Sequence, residues 1–211
     1  MSEIPLILFA KAPIAGLVKT RLASHCSEIQ CAEIAQILLE TSVQKAIVYW
    51  PGRVVLSVFL DQNHPFLQGL VERYSVKLSM QVEGDLGVKM AASLDEHGYP
   101  AAVMGCDVPQ LNLKVLEHAH AALKRGEEVI GPAQDGGFYL LGVNQNSELL
   151  LAQQAWGGEQ VLSTTLSLAK QQQRQFHCLE SLRDIDTWAD LLAASHHVPA
   201  IKEYLSTHSL I

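Results

Sequence analysis

The chain has 211 residues with 22 acidic and 15 basic side chains, a formal net charge of −7, and 48% hydrophobic against 18% charged residues. That length suits a single domain, residues 1–211, with a sizeable core, and the composition excludes a disordered chain. No apolar run nears the roughly 18 residues of a membrane span and no basic-then-apolar leader opens the sequence, so a cytoplasmic protein is expected; the acidic balance argues against a nucleic-acid partner.

In chain order, Ile4–Ala10 is a short apolar run of the kind a buried strand needs. It feeds Phe9-Ala-Lys-Ala-Pro-Ile-Ala-Gly-Leu-Val-Lys-Thr-Arg21. Residues 1–27 hold Lys11, Lys19 and Arg21 against Glu3 alone, so this segment is basic on an acidic chain. A strand entering a turn at Gly16, with three cations around it, suits a di- or triphosphate. It is not a P-loop, because Pro13 and Val18 stand where that motif needs glycines, and the dinucleotide Gly-x-Gly-x-x-Gly pattern is missing too. Ser27 with Gln30 forms a capping-box signature for a helix running through to Trp50, ended by Pro51-Gly52.

Val54–Leu60 is strand-like, His64–Tyr74 suits a short helix, and Val76–Val82 alternates as a half-buried strand does. Leu86–His97 is predicted as a helix and Ala101–Gly105 as a buried strand, followed by Met104-Gly-Cys-Asp-Val-Pro-Gln-Leu111. Asp107 at a strand's end is either a metal carboxylate, which Mg²⁺ would share with substrate phosphates, or a turn or helix N-cap residue. Leu113–Arg125 is helical, and Val129–Gly131 and Phe138–Val143 are strands too close for a helical crossover, so at least one strand runs antiparallel. Between them, Asp135-Gly136-Gly137 makes a good hairpin turn.

A helix around Gln160–Lys170, a strand at Arg174–Leu179 and C-terminal helices complete the series. In Leu182-Arg-Asp-Ile-Asp-Thr-Trp-Ala-Asp190, Asp184 and Asp186 would share one side of an extended segment, and Thr187 would cap the next helix with Asp190. Trp188 at the fifth loop position excludes an EF-hand. The scattered histidines and cysteines form no zinc or disulfide pattern. Strands alternating with helices give an α/β three-layer sandwich with a mostly parallel mixed sheet, its ligands at the carboxyl ends of the strands.

The motifs in this order resemble the nucleotide-diphospho-sugar transferase (GT-A-like) superfamily, and in particular a bacterial glycosyltransferase-like family associated with radical-SAM/selenodomain neighbourhoods. The resemblance runs from Leu6 to about Leu192 and rests on the Phe9–Leu22 loop, Gln81-Val-Glu-Gly-Asp-Leu-Gly87, Gly105-Cys-Asp-Val-Pro109, Gly131–Leu140, Trp156 and Asp184-Ile-Asp-Thr187. It implies that Lys11, Gly16, Lys19, Arg21 and Gly84 bind a nucleotide. It further implies that Asp107 and Asp186, with Asp184 as rival, hold Mg²⁺ or Mn²⁺, and that Asp135, Gly136, Gly137 and Trp156 border the acceptor. Asp107, Lys19 and Asp135 would be the catalytic set. Cys106, Lys89 and Gly157-Gly158 depart from the usual pattern. The expected activity is glycosyl transfer from a nucleotide-sugar to a small acceptor. Nucleotidyl transfer to a phosphorylated acceptor, with pyrophosphate release, is the alternative; a non-catalytic nucleotide-binding regulator is the third reading, opposed by the retention of Lys19, Arg21, Asp107 and Asp186.

Overall fold

A computed structural model describes residues 3–152 and 155–211. Its strands are β1 (Leu6–Lys11), β2 (Val54–Phe59), β3 (Lys77–Met80), β4 (Ala101–Gly105), β5 (Glu128–Pro132), β6 (Phe138–Val143) and β7 (Phe176–Cys178). The helices are α1 (Glu28–Tyr49), α2 (Pro65–Tyr74), α3 (Leu86–His97), α4 (Leu113–Lys124), α5 (Glu148–Leu151), α6 (Val161–Gln171), α7 (Trp188–Ser195) and α8 (Pro199–Thr207). The strands form one sheet in the order β3-β2-β1-β4-β6-β5-β7. Only β6 is antiparallel to its neighbours, β4 and β5. The expected antiparallel strand is therefore β6, and the sheet is otherwise parallel.

Side chains of β1 alternate between two cores because successive residues of a strand point to opposite faces. Leu6 and Leu8 enter a core with α1, α2 and α4, including Leu39, Leu67 and Leu116. Ile7 enters the other, with Met90 and Leu94 of α3, Leu150 of α5 and Ala169 of α6. The result is a three-layer sandwich. A third cluster joins the outer side of α1, through Ile34 and Leu38, to Leu191 of α7 and Ile201 and Leu205 of α8.

The helix starts follow the capping chemistry. Ser27 and Gln30 make the reciprocal box at α1, and Thr187 and Asp190 make it at α7. Asn112, not Asp107, caps α4, so Asp107 is not that helix's N-cap and lies in the loop after β4. On α3, Gly87 lies against α5: a Cβ there would stand 2.1 Å from the Leu151 carbonyl oxygen and 2.8 Å from the Trp156 ring. The four-residue α5 and a 3₁₀ turn at Thr20–Leu22 carry no clear sequence signal. β3 and β7 are shorter than their apolar patterns suggest, as befits the two edge strands. Among the described residues, no helix is long and apolar enough to cross a membrane.

Candidate active site at the carboxyl edge of the sheet

Three segments meet beyond the carboxyl ends of β1, β4 and β5. The loop after β1 carries Lys11, Lys19 and Arg21. Lys19 adopts the left-handed backbone region at φ 48°, a conformation costly for a side-chain-bearing residue and typical of sites where the surroundings hold it in place. Its side chain, only 8% exposed, is ion-paired with Asp107 at 2.7 Å and donates to the Ile185 carbonyl at 2.6 Å. Arg21 pairs with Asp186 at 2.8 Å, and the Lys11 ammonium donates to the Leu17 carbonyl at 2.7 Å.

The segment 182–187 is laid across the sheet edge by backbone bonds. Leu182 donates to Pro132, Gln134 donates to Leu182, and Ile185 donates to Asp107. This suturing brings Asp184 and Asp186 to Asp135 of the β5–β6 turn, where one carboxylate oxygen from each lies within 4.8 Å of the others. Burial, then the charges of Asp135, Asp186 and Asp107, push the Asp184 carboxyl up to about 6 from its ordinary 3.8. Converging oxygens with excess negative charge form a donor set that suits a hard divalent cation. Asp107 stands beside this trio, paired with Lys19, rather than within it.

Asp135-Gly136-Gly137 forms the turn between β5 and β6 as expected, and the Asp135 side chain accepts from the Gly137 amide at 2.9 Å while its carboxylate also lies in the cluster. Gly136 has φ 92°, and a Cβ would fall 2.1 Å from the Glu159 carbonyl oxygen, so only glycine fits this close approach. Nothing in the sequence marks Asp135 as a partner of Asp184 and Asp186, because a hairpin turn alone accounts for it.

Two cavities flank the carboxylates. The first, about 270 Å³, is lined by Lys11, Lys19, Arg21, Cys106, Asp107 and Asp186 among others. The second, about 210 Å³, is lined by Asp135, Gly137, Phe138, Trp156 and neighbouring apolar side chains. Phe9 lines both. Gly16 and Gly84 line neither, although both have positive φ; Gly84 lies just ahead of Asp85, which caps α3. Cys106 is buried, and burial together with the Asp107 charge pushes its thiol well up, so it is a wall and not a nucleophile. Lys89, a second of the three departures, places its ammonium over the Phe59 ring.

Residues 43–158, more than half of the chain, match the family described as an uncharacterised protein conserved in bacteria (DUF2064). No curated protein sequence matches. A Desulfovibrio desulfuricans G20 protein, provisionally assigned as a nucleotide-diphospho-sugar transferase, superposes with a TM-score of 0.85 at 22% identity over 98% of this chain and 96% of its own. The inositol-1-phosphate CTP transferase of T. maritima gives 0.59 at 14% identity, covering 97% of each chain. Rv0371C of Mycobacterium tuberculosis H37Rv, in complex with manganese, gives 0.55 at 15% identity over 93% of this chain and all of its own. The fold is that of the nucleotide-diphospho-sugar transferases and nucleotidyltransferases.

Proposed function

The chain belongs to that bacterial family, DUF2064, and from this premise we propose that it is a metal-dependent glycosyltransferase using a nucleotide-diphospho-sugar donor and a small acceptor. One observation carries the reading: Asp186 lines the cationic cavity, Asp135 lines the apolar one, and the two carboxylates lie within 4.8 Å of each other. A diphosphate in the first cavity would thus meet an acceptor in the second at the carboxylate cluster. The whole chain, residues 1–211, works as one unit on this reading, since the site draws on residues from Lys11 to Asp186.

Lys11, Lys19 and Arg21 would exchange their present partners for phosphate oxygens. Asp184 and Asp186, with Asp107 beside them, would hold Mg²⁺ or Mn²⁺, which supplies charge neutralisation to the leaving phosphate. The manganese bound in the mycobacterial neighbour supports that choice of ion. In the transfer itself, the acceptor oxygen forms a bond to the anomeric carbon as that carbon's bond to the β-phosphate oxygen breaks. The nucleoside diphosphate leaves with the bonding electrons, and Asp135 accepts the acceptor's proton. Lys19 and Arg21 stabilise the charge arriving on the diphosphate, work for which a single donor is typically worth about 10²–10³ in rate.

Nucleotidyl transfer is the second reading, supported by the likeness to the T. maritima inositol-1-phosphate CTP transferase. One feature weighs against it. Among the described residues lining the second cavity there is no Lys, Arg or His to meet a phosphorylated acceptor. A thermal-shift panel separates the two. With Mn²⁺, nucleotide-sugars at about 100 times their dissociation constant should add about 2.7 kcal/mol, and incubation with acceptor should release nucleoside diphosphate. Preference for bare triphosphates with pyrophosphate release would defeat the glycosyl reading.

A further inference from the structure

Gly105 ends β4, lines the second cavity, and stands opposite Phe9 of β1. Two reasons usually explain a glycine in a strand, and neither applies. Its φ is not positive, and a Cβ built on it would meet nothing within 4 Å. This contrasts with Gly131 of β5 and Gly142 of the adjoining β6, where a Cβ would stand 2.4 Å from the Tyr139 ring and 2.6 Å from a Val129 methyl. Gly105 is the exposed last residue of β4, where glycine costs backbone entropy without a turn or a close contact to require it, and a glycine in a strand can mark the approach of a ligand. The space that a side chain at Gly105 would take belongs to the cavity. Gly157, also in the lining, likewise leaves open space around its Cβ direction, although its φ of 85° by itself favours glycine.

The chemistry of the walls defines what that space accepts. Phe9, Leu86, Met90, Phe138 and Trp156 present carbon, with Trp156 set edge-on to Phe138 at a centroid distance of 6.3 Å. Asp135 is the one charged side chain among the described lining residues, and Asp184 and Asp186 stand behind it. In the metal-free protein an anion entering would be desolvated against carboxylates, with no Lys, Arg or His among the described lining residues to pair it. A hydroxyl can donate to a carboxylate there, in a cavity of about 210 Å³.

We propose that Gly105 is the size-determining residue of a subsite for an unphosphorylated, uncharged alcohol with a largely hydrocarbon body. The inference rests on the reading of this cavity as the acceptor's, but its test needs neither donor nor turnover. Benzyl alcohol and benzyl phosphate are titrated separately into the full-length protein, following the Trp156 indole N–H resonance, which is identified by its loss in Trp156→Phe. Benzyl alcohol should shift that resonance, and benzyl phosphate should bind at least tenfold more weakly. Gly105→Ala should weaken benzyl alcohol several-fold and Gly105→Val at least tenfold, with melting temperatures equal to or above the parent's, as expected when a strand glycine is replaced without a clash. If the valine variant does not fold, the alanine variant decides. Unchanged benzyl alcohol binding in the folded variants, or equal binding of benzyl phosphate, would overturn the assignment. If the alcohol binds as expected while no nucleotide-sugar binds, the glycosyltransferase reading falls and the subsite stands. If nucleotide-sugars bind but the alcohol does not, the reverse holds.

Discussion

Asp184 is the residue on which the site's protonation turns. Burial and the carboxylates around it raise its pKa to about 6 from 3.8, so between those values the folded chain carries a proton that the unfolded chain has released. Its contribution therefore favours the native state at acid pH and is lost as pH rises through about 6. In the metal-free protein, stability should fall across that interval by a step that Asp184→Asn removes. A divalent cation needs the deprotonated form, so the Mn²⁺ affinity measured by calorimetry should rise by about tenfold from pH 5 to pH 7, with proton release near pH 5.5. An affinity independent of pH would remove Asp184 from the ligand set. The sequence pairs Asp184 with Asp186 by their alternation, but both are half-buried beside Asp135 only because of the bonds that fasten Leu182 to Pro132 and Ile185 to Asp107, and these join residues distant along the chain.

At the scale of elements, the contact between α3 and α5 depends on one missing side chain. Gly87→Ala would force a Cβ against the Leu151 carbonyl and the Trp156 ring. The expected cost is about 1–3 kcal/mol in denaturant unfolding, typical of an overpacked contact; a loss within 0.5 kcal/mol would mean that α5 moves freely. The elements themselves were largely legible. α3, β4 and β6 have the bounds that periodicity and flanking glycine predict, and the boxes at Ser27 and Thr187 mark two helix starts. Periodicity reports burial and caps report ends, so both are local. α5 escaped because four residues hold too little periodicity to register, and the true extent of β3 escaped because Val76 is buried outside the strand whereas Val82 is exposed. Asp135 was readable as a turn but not as a member of the carboxylate trio, since that depends on where β5 and the 182–187 segment come together.

For the molecule as a whole, sheet order was not written in the pattern, but its consequence for the site was. With β6 reversed, β5 points the same way as β1 and β4, so all three deliver their following loops to one edge. At the far side of the sheet, Arg174 and Glu128 form a doubly hydrogen-bonded ion pair, 4% and 9% exposed, that joins the start of β5 to the approach of β7. Removing one partner leaves a buried charge alone, so Glu128→Ala should cost about 3–5 kcal/mol in equilibrium unfolding. Because that pair is remote from Lys19 and Asp107, nucleotide affinity of the folded variant should be unchanged; a loss of affinity at full folding would show that the distal edge communicates with the site.

The pairs Lys19–Asp107 and Arg21–Asp186 have a further consequence. Each unites a candidate phosphate ligand with a carboxylate at or beside the candidate cation site. On the proposed reading, a nucleotide arriving alone would strip cations from two carboxylates, and a cation arriving alone would do the converse to two bases. Arriving together, they replace each broken contact with one of the same charge type. Nucleotide and cation are therefore heterotropic partners, and the factor by which either tightens the other is the same in both directions.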